Sequence, residues 1–277
     1  MLAAGFSKIL SMGAAALALG AMAVPIAQAS QPSKPVFSAK LHQDIELLAG
    51  YVWQLTDAYD ASGAQQKQWH VSGLPPIPVY FSADGWVGTS VCNSMSWRYK
   101  PTENNAIKII GHGATTTAGC GDPLGSLQQP AAKLFSAGFH YQLHSLAGQP
   151  PSLALTFGDG SRWELRGEPT PRTKYGSDGT PALLEVDGPH VPCEQGAKGQ
   201  ECLRVRLVEW GVRDGKGYFF NQRAWQKFPL DAIDKWTHKP GWHGVLNVQQ
   251  FPLKAAQRGS APYAYLFHAE YTTFSPP

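Results

Sequence analysis

Charge is scarce in this 277-residue chain: 16% of the residues are Asp, Glu, Lys or Arg, and the formal net charge is only +3. Lys and Arg nowhere gather into a block, which leaves no electrostatic footprint for nucleic acid or for an anionic membrane surface. The short motifs of common chemistries are missing as well. There is no G-x-S-x-G turn to expose a nucleophile, no H-E-x-x-H, no phosphate-cradling Gly loop and no dinucleotide fingerprint after a strand. No C-x-x-C pair occurs, and no His stands at finger-like spacing from a cysteine. Together these gaps lower the expectation of an enzyme without removing it, because triads are defined by geometry and not by sequence order.

The one long apolar run lies at the start. Lys8 supplies a single positive charge, Ile9 to Val24 form an Ala- and Leu-rich stretch, and Pro25 precedes Ala27-Gln28-Ala29, a small-x-small pattern. These are the parts of a secretory signal peptide, residues 1–29, with cleavage expected after Ala29. The run is shorter than the roughly 20 residues that span a bilayer, so no membrane span is expected once it is removed. The mature protein is accordingly placed in the periplasm of a bacterium or outside the cell.

Four cysteines, Cys92, Cys120, Cys193 and Cys202, lie in the mature part. An even number in an exported chain reads as a disulfide framework. Three connectivities are open; sequence order and the division into halves described next favour Cys92 with Cys120 and Cys193 with Cys202. A metal site is the competing reading, which the cysteine spacing does not support.

The content of Gly (29), Pro (22) and aromatic residues favours short strands and turns over long amphipathic helices. Residues 30–44 read as a polar tether. Tyr51, Trp53 and Leu55 then alternate at the period of two that a half-buried strand requires. Further strands are expected at Pro75 to Tyr80, Gly85 to Val91, Ala106 to Ile110 and Phe139 to Leu143. Leu153 to Phe157 pairs with Arg162 to Leu165 across Gly158-Asp159-Gly160. One helix is expected from Pro130 to Ala137, ended by Gly138 in the left-handed conformation. Residues 168–181 carry breakers throughout and read as a linker. Beyond it a second β pattern includes Leu183 to Val186, Cys202 to Trp210, Gly244 to Val248 and Ala264 to Tyr271; Ala224 to Trp236 is open between a short helix and a loop. The expected fold is mainly β: two small antiparallel β domains, at 45–167 and 182–277, the first with one short α-helix.

Leu48-x-Gly50-x-x-Trp53-x-Leu55, Cys92-Asn93, Ala114-Thr115-Thr116 followed by Cys120, and the closing hairpin with Asp159-Gly160 occur in that order over residues 45–167. In this the N-terminal half resembles the META domain, a family of bacterial envelope proteins linked to heat shock and, in some members, to antibiotic tolerance. Two positions depart from its pattern: Val91 stands where Gly usually precedes Cys-Asn, and no acidic residue opens the helix among Ser126, Leu127, Gln128 and Gln129. The second half, through Cys193, Cys202-Leu203-x-Val205, Trp225-x-x-Phe228, Ile233 and Pro240-Gly241, resembles a domain of unknown function that commonly follows META. The resemblance implies a place and an architecture; neither family has a generally accepted catalytic mechanism.

No catalytic residues and no metal ligands are therefore assigned, and no cofactor is expected. His140 and His144 share a strand face but stand about 14 Å apart at two residues per 7 Å, too far for one ion. His238 and His243 flank a Pro240-Gly241 turn without an evident third ligand. Trp210, Trp225, Trp236 and Trp242 are unusually many for a domain under 100 residues. If exposed they would form a platform for a sugar or peptide, and if buried they are core. Trp236 and Trp242 are the assigned ligand-binding candidates. The sequence thus points to an exported, non-catalytic binding or protective module whose partner is an envelope protein, a peptide or a cell-wall component. A hydrolase with a site at the domain interface and a purely structural accessory protein are the competing classes.

Overall fold

The computed structural model describes residues 38–194, 199–214, 216–220, 223–253 and 263–273. The expected signal peptide, the expected cleavage point after Ala29 and the first part of the expected tether lie outside them. The rest of that tether is not extended. Ala39–Ala49 form helix α1, whose N-terminus is capped by Ser38 accepting from the amide of Leu41. Its polar residues are the solvent side of an amphipathic helix: Lys40 pairs with Asp44 one turn on, while Leu41 and Leu48 are buried.

Eight strands follow: β1 (Tyr51–Tyr59), β2 (Pro78–Phe81), β3 (Trp86–Ser90), β4 (Ser94–Pro101), β5 (Ala106–Thr115), β6 (Phe139–His144), β7 (Ser152–Phe157) and β8 (Arg162–Pro169). Each pairs antiparallel with the next, and β8 returns to β1, closing a barrel. Alternation dictates its two sides. In β7, Leu153, Leu155 and Phe157 are buried while Ser152 and Thr156 face water. The turn from β7 to β8 is fixed by Gly160 at φ +83° and by the Asp159 carboxylate, which accepts from the backbone and hydroxyl of Ser161.

Helix α2 (Leu124–Ser136) lies between β5 and β6. It begins earlier than the expected Pro130, which sits inside it. Proline there forfeits one backbone hydrogen bond, but the stripe Leu127, Ala131 and Phe135 is buried at four-residue spacing and holds the helix against the barrel. Phe135 is wholly buried; its ring stacks on Trp97 at 5.7 Å and meets Phe139, Phe157 and Trp163 edge-on at 5.5 to 5.6 Å. The barrel interior is thus filled by rings. Gly138 ends the helical region at φ +78°, as expected.

After β8 the chain makes a short helix, α3 (Pro171–Tyr175), and enters a second sheet: β9 (Thr180–Val186), β10 (Val191–Pro192), β11 (Glu201–Arg213), β12 (Lys216–Phe220), β13 (Gln226–Pro229), β14 (Ile233–Asp234), β15 (Gly244–Pro252) and β16 (Tyr263–Thr273). The order is β10-β11-β9-β15-β16-β14, with β12 and β13 also on β11; all described pairs are antiparallel except β14 with β16. The stretch open between helix and loop is a loop interrupted by two short strands, Gln226–Pro229 and Ile233–Asp234. Register decides this: Phe228 lies opposite Leu203 and joins the core, a partnership no local pattern reveals. The protein is mainly β, with a closed antiparallel barrel and a second, mostly antiparallel sheet, each around its own apolar core.

Candidate functional site

Both disulfides pair as expected: Cys92 with Cys120 (Cα–Cα 5.9 Å) and Cys193 with Cys202 (5.1 Å). The first staples the turn after β3 to the segment leading into α2, and the motif residues gather around it. The Asn93 side chain, nearly buried, accepts from the Ala118 amide at 2.6 Å and the Thr116 hydroxyl at 3.1 Å, and donates to the Ala118 carbonyl at 3.2 Å. The Gln128 side-chain oxygen accepts from the amides of Cys92 and Asn93, at 3.3 and 3.0 Å. This glutamine of α2 thus supplies the acceptor oxygen that the turn requires. These are structural roles; with rings filling the barrel, ligand-accessible surface lies on its outside and on the second sheet.

Successive side chains of a strand point to opposite faces, and the second sheet divides accordingly. Leu184, Val186, Leu203, Val205, Leu246 and Val248 face one side and build the core with Phe228, Ile233 and Tyr265. Trp236 and Trp242 belong to this side. Both are half-buried against the core, they meet edge-to-face at 5.4 Å with 64° between ring planes, and Trp236 Nε1 donates to Glu270. They are not coplanar.

The other face carries a polar half and an aromatic half. In the polar half, Arg204 and Arg206 lie with their guanidiniums 4.6 and 4.3 Å from the ring centre of Trp225. Asp187 pairs with Arg204 at 3.1 Å, while Glu185 accepts from Arg206 at 2.7 Å and binds His243 at 3.1 Å. Burial pushes the Glu185 carboxyl up, but the bonds from Arg206 and His243 prevail and hold it below its ordinary value. The aromatic half is a cleft of about 320 Å³ lined by Leu183, Trp210, Phe219 and Tyr271. Trp210 is 55% exposed and meets Phe219 edge-on at 4.9 Å; Tyr271 is 47% exposed, its hydroxyl accepting from Asn247.

A larger, polar trough of about 720 Å³ runs along the outer barrel wall, past Gln142, His144, Ser152, Arg162, Glu164 and Arg166. Its residues are solvent-facing strand positions, with Arg162 paired to Glu164 at 3.0 Å. His140 and His144 are exposed on this wall. His238 and His243 do not converge: His243 turns to Glu185, and His238 meets His190 at 2.8 Å. Among the described residues no group of three His, Cys, Asp or Glu could hold a metal, and no helix is long and apolar enough to cross a membrane. Sequence reading missed the aromatic cleft because Phe219, Tyr271 and Leu183 come together only through register, though the face of Trp210 could have been read from Arg204 and Arg206, which share its parity along β11.

Two solved structures are similar to part of the chain. One is the NMR structure of a protein from Burkholderia xenovorans, at 17% identity, covering 52% of this chain and 99% of that one with a TM-score of 0.37. The second, another NMR structure, has 20% identity and covers 44% of this chain and 92% of the other, with a TM-score of 0.32. No curated protein gives a significant match. Residues 46–169 match the META domain family, a span that takes in the end of α1, the whole barrel and the Cys92–Cys120 staple with Asn93 beside it.

Proposed function

We propose that the protein is a non-catalytic binding module of the bacterial periplasm, associated with envelope stress, and that it takes an apolar or aromatic side chain of an envelope peptide or protein into the cleft of its second sheet. The META domain and the two disulfides support an extracytoplasmic place of work. The observation that carries the binding reading is the cleft between Leu183, Trp210, Phe219 and Tyr271. The rings of Trp210 and Tyr271 stand exposed together on one sheet face, where a chain without a partner would normally bury them or replace them. The cleft offers an apolar slot, and the neighbouring Arg204, Arg206, Glu185 and Asp187 offer a charged rim that would orient the bound chain. In this reading Trp236 and Trp242 support the sheet from its packed side, and their exposed edges play no direct part.

A displayed random-peptide library selected on the immobilised protein should enrich sequences with a recurring aromatic or large aliphatic residue. Trp210→Ala and Tyr271→Ala should then each weaken a selected peptide by about 1 to 3 kcal/mol, as loss of an exposed anchor does, with unchanged circular dichroism. No enrichment, or equal binding by both variants, would overturn the proposal.

A further inference from the structure

We infer that Glu201, His190 and His238 form a proton-operated latch that pins the connection between β14 and β15, which carries Trp236 and Trp242, to the turn that follows β9. The four groups stand in a line. Glu201 Oε2 is 3.1 Å from His190 Nδ1; His190 Nε2 is 2.8 Å from His238 Nδ1; His238 Nε2 is 2.8 Å from the Trp242 carbonyl. His238 is only 6% exposed. A second link lies alongside, the Gly241 amide donating to the Gly188 carbonyl at 2.8 Å. The rings of Trp236 and Trp242 flank His238 at 5.6 and 6.2 Å, so the connection moves with it.

The partners at the two ends of the line decide where the protons sit. A carbonyl only accepts, so His238 Nε2 carries hydrogen. If His238 is neutral, its Nδ1 is then a bare acceptor, and His190 Nε2 must donate to it. At the far end a carboxylate also only accepts, so His190 Nδ1 must donate too. All three contacts are made together when the histidine pair holds one proton more than two neutral rings, with Glu201 ionised. Remove that proton and a bare nitrogen faces the carboxylate or the other ring; add a second and two N–H groups oppose each other across the 2.8 Å contact. The other charges around the pair are already engaged or outside the line: Asp187 is bound to Arg204 at 3.1 Å, Glu270 accepts from Trp236 Nε1, and Lys239 follows His238 in the chain. Glu201 is the one carboxylate in contact with either ring among the described residues, and its side chain is 61% exposed.

The test uses the full-length protein labelled with nitrogen-15 at histidine. Near neutral pH a scalar coupling across the hydrogen bond should join His190 Nε2 to His238 Nδ1. The Gly241 amide, after correction for intrinsic exchange, should be best protected in the same range and lose about tenfold in protection on either side of it, the equivalent of one charge-assisted hydrogen bond. Glu201→Gln, an exposed change that leaves the fold alone, should move the alkaline loss to lower pH, and His190→Asn should flatten the Gly241 profile while the Leu246 amide keeps its protection. Absence of the coupling, or a Gly241 profile identical in the wild type and in Glu201→Gln, overturns the latch.

Discussion

Asn93 and Gln128 show how a motif residue acts through its oxygen. The Gln128 oxygen meets the two amides of Cys92 and Asn93, and it does so from a helix that the disulfide already holds close. Gln128→Ala should therefore cost about 1 to 3 kcal/mol in urea unfolding, the penalty of leaving a part-buried donor unmet. Gln128→Glu should keep or raise the stability, since a carboxylate accepts more strongly. Glu185 makes a second case at this scale. Its folded carboxyl titrates below its ordinary value, so the folded chain binds fewer protons than the unfolded one while pH falls through that range. The stabilisation is present in full above the unfolded value, about pH 4.3, and is lost as pH falls through the folded one. Glu185→Gln should lower the urea midpoint at pH 7 and reduce the fall in midpoint between about pH 5 and 3. Asp234 and Glu168, held low by Lys174 and Lys235, contribute to the same acid limb, so the loss shrinks and does not vanish.

At the scale of the element, the alternating strands were legible and the helices less so. Trp53, Leu55, Leu153, Leu155 and Phe157 are buried as their alternation requires, because a two-residue period is a local property. Helix α1 escaped because the polar residues of its first half, Lys40, His42, Gln43 and Asp44, resemble a tether. Helix α2 escaped in part because proline is a stronger local signal than the buried stripe that overrides it. Faces and partners were out of reach for another reason: Glu185 meets residues 21 and 58 positions away, and one residue of register would turn each strand over. The same reasoning assigns α2 its role. Phe135 touches four rings of the barrel core, so Phe135→Ala should remove about 3 to 5 kcal/mol from that core, measured by chemical unfolding. Mutation of the exposed Gln129 in the same helix should leave it nearly unchanged.

For the molecule as a whole, the two cores are joined by contacts of a different kind from those within them. Thr173 donates to the Gly50 carbonyl at 2.6 Å, Lys235 pairs with Glu168 at 3.0 Å and Lys174 with Asp234 at 2.7 Å, all at part-exposed side chains. Exposed ion pairs contribute about 0 to 1 kcal/mol each. The apolar contact of α3, Tyr175 stacked on Phe251 at 4.4 Å, is made to the second sheet alone. Coupling this weak cannot force two cores of different stability to melt together. Calorimetry should accordingly resolve two transitions, the first core to unfold leaving the other folded. Phe135→Ala should shift one of them downward and Glu185→Gln the other, which assigns each transition to its core. A single transition with equal calorimetric and van't Hoff enthalpies, shifted as one by both substitutions, would mean that the links around α3 carry far more energy than exposed pairs supply, and the barrel and second sheet would then have to be treated as one cooperative unit.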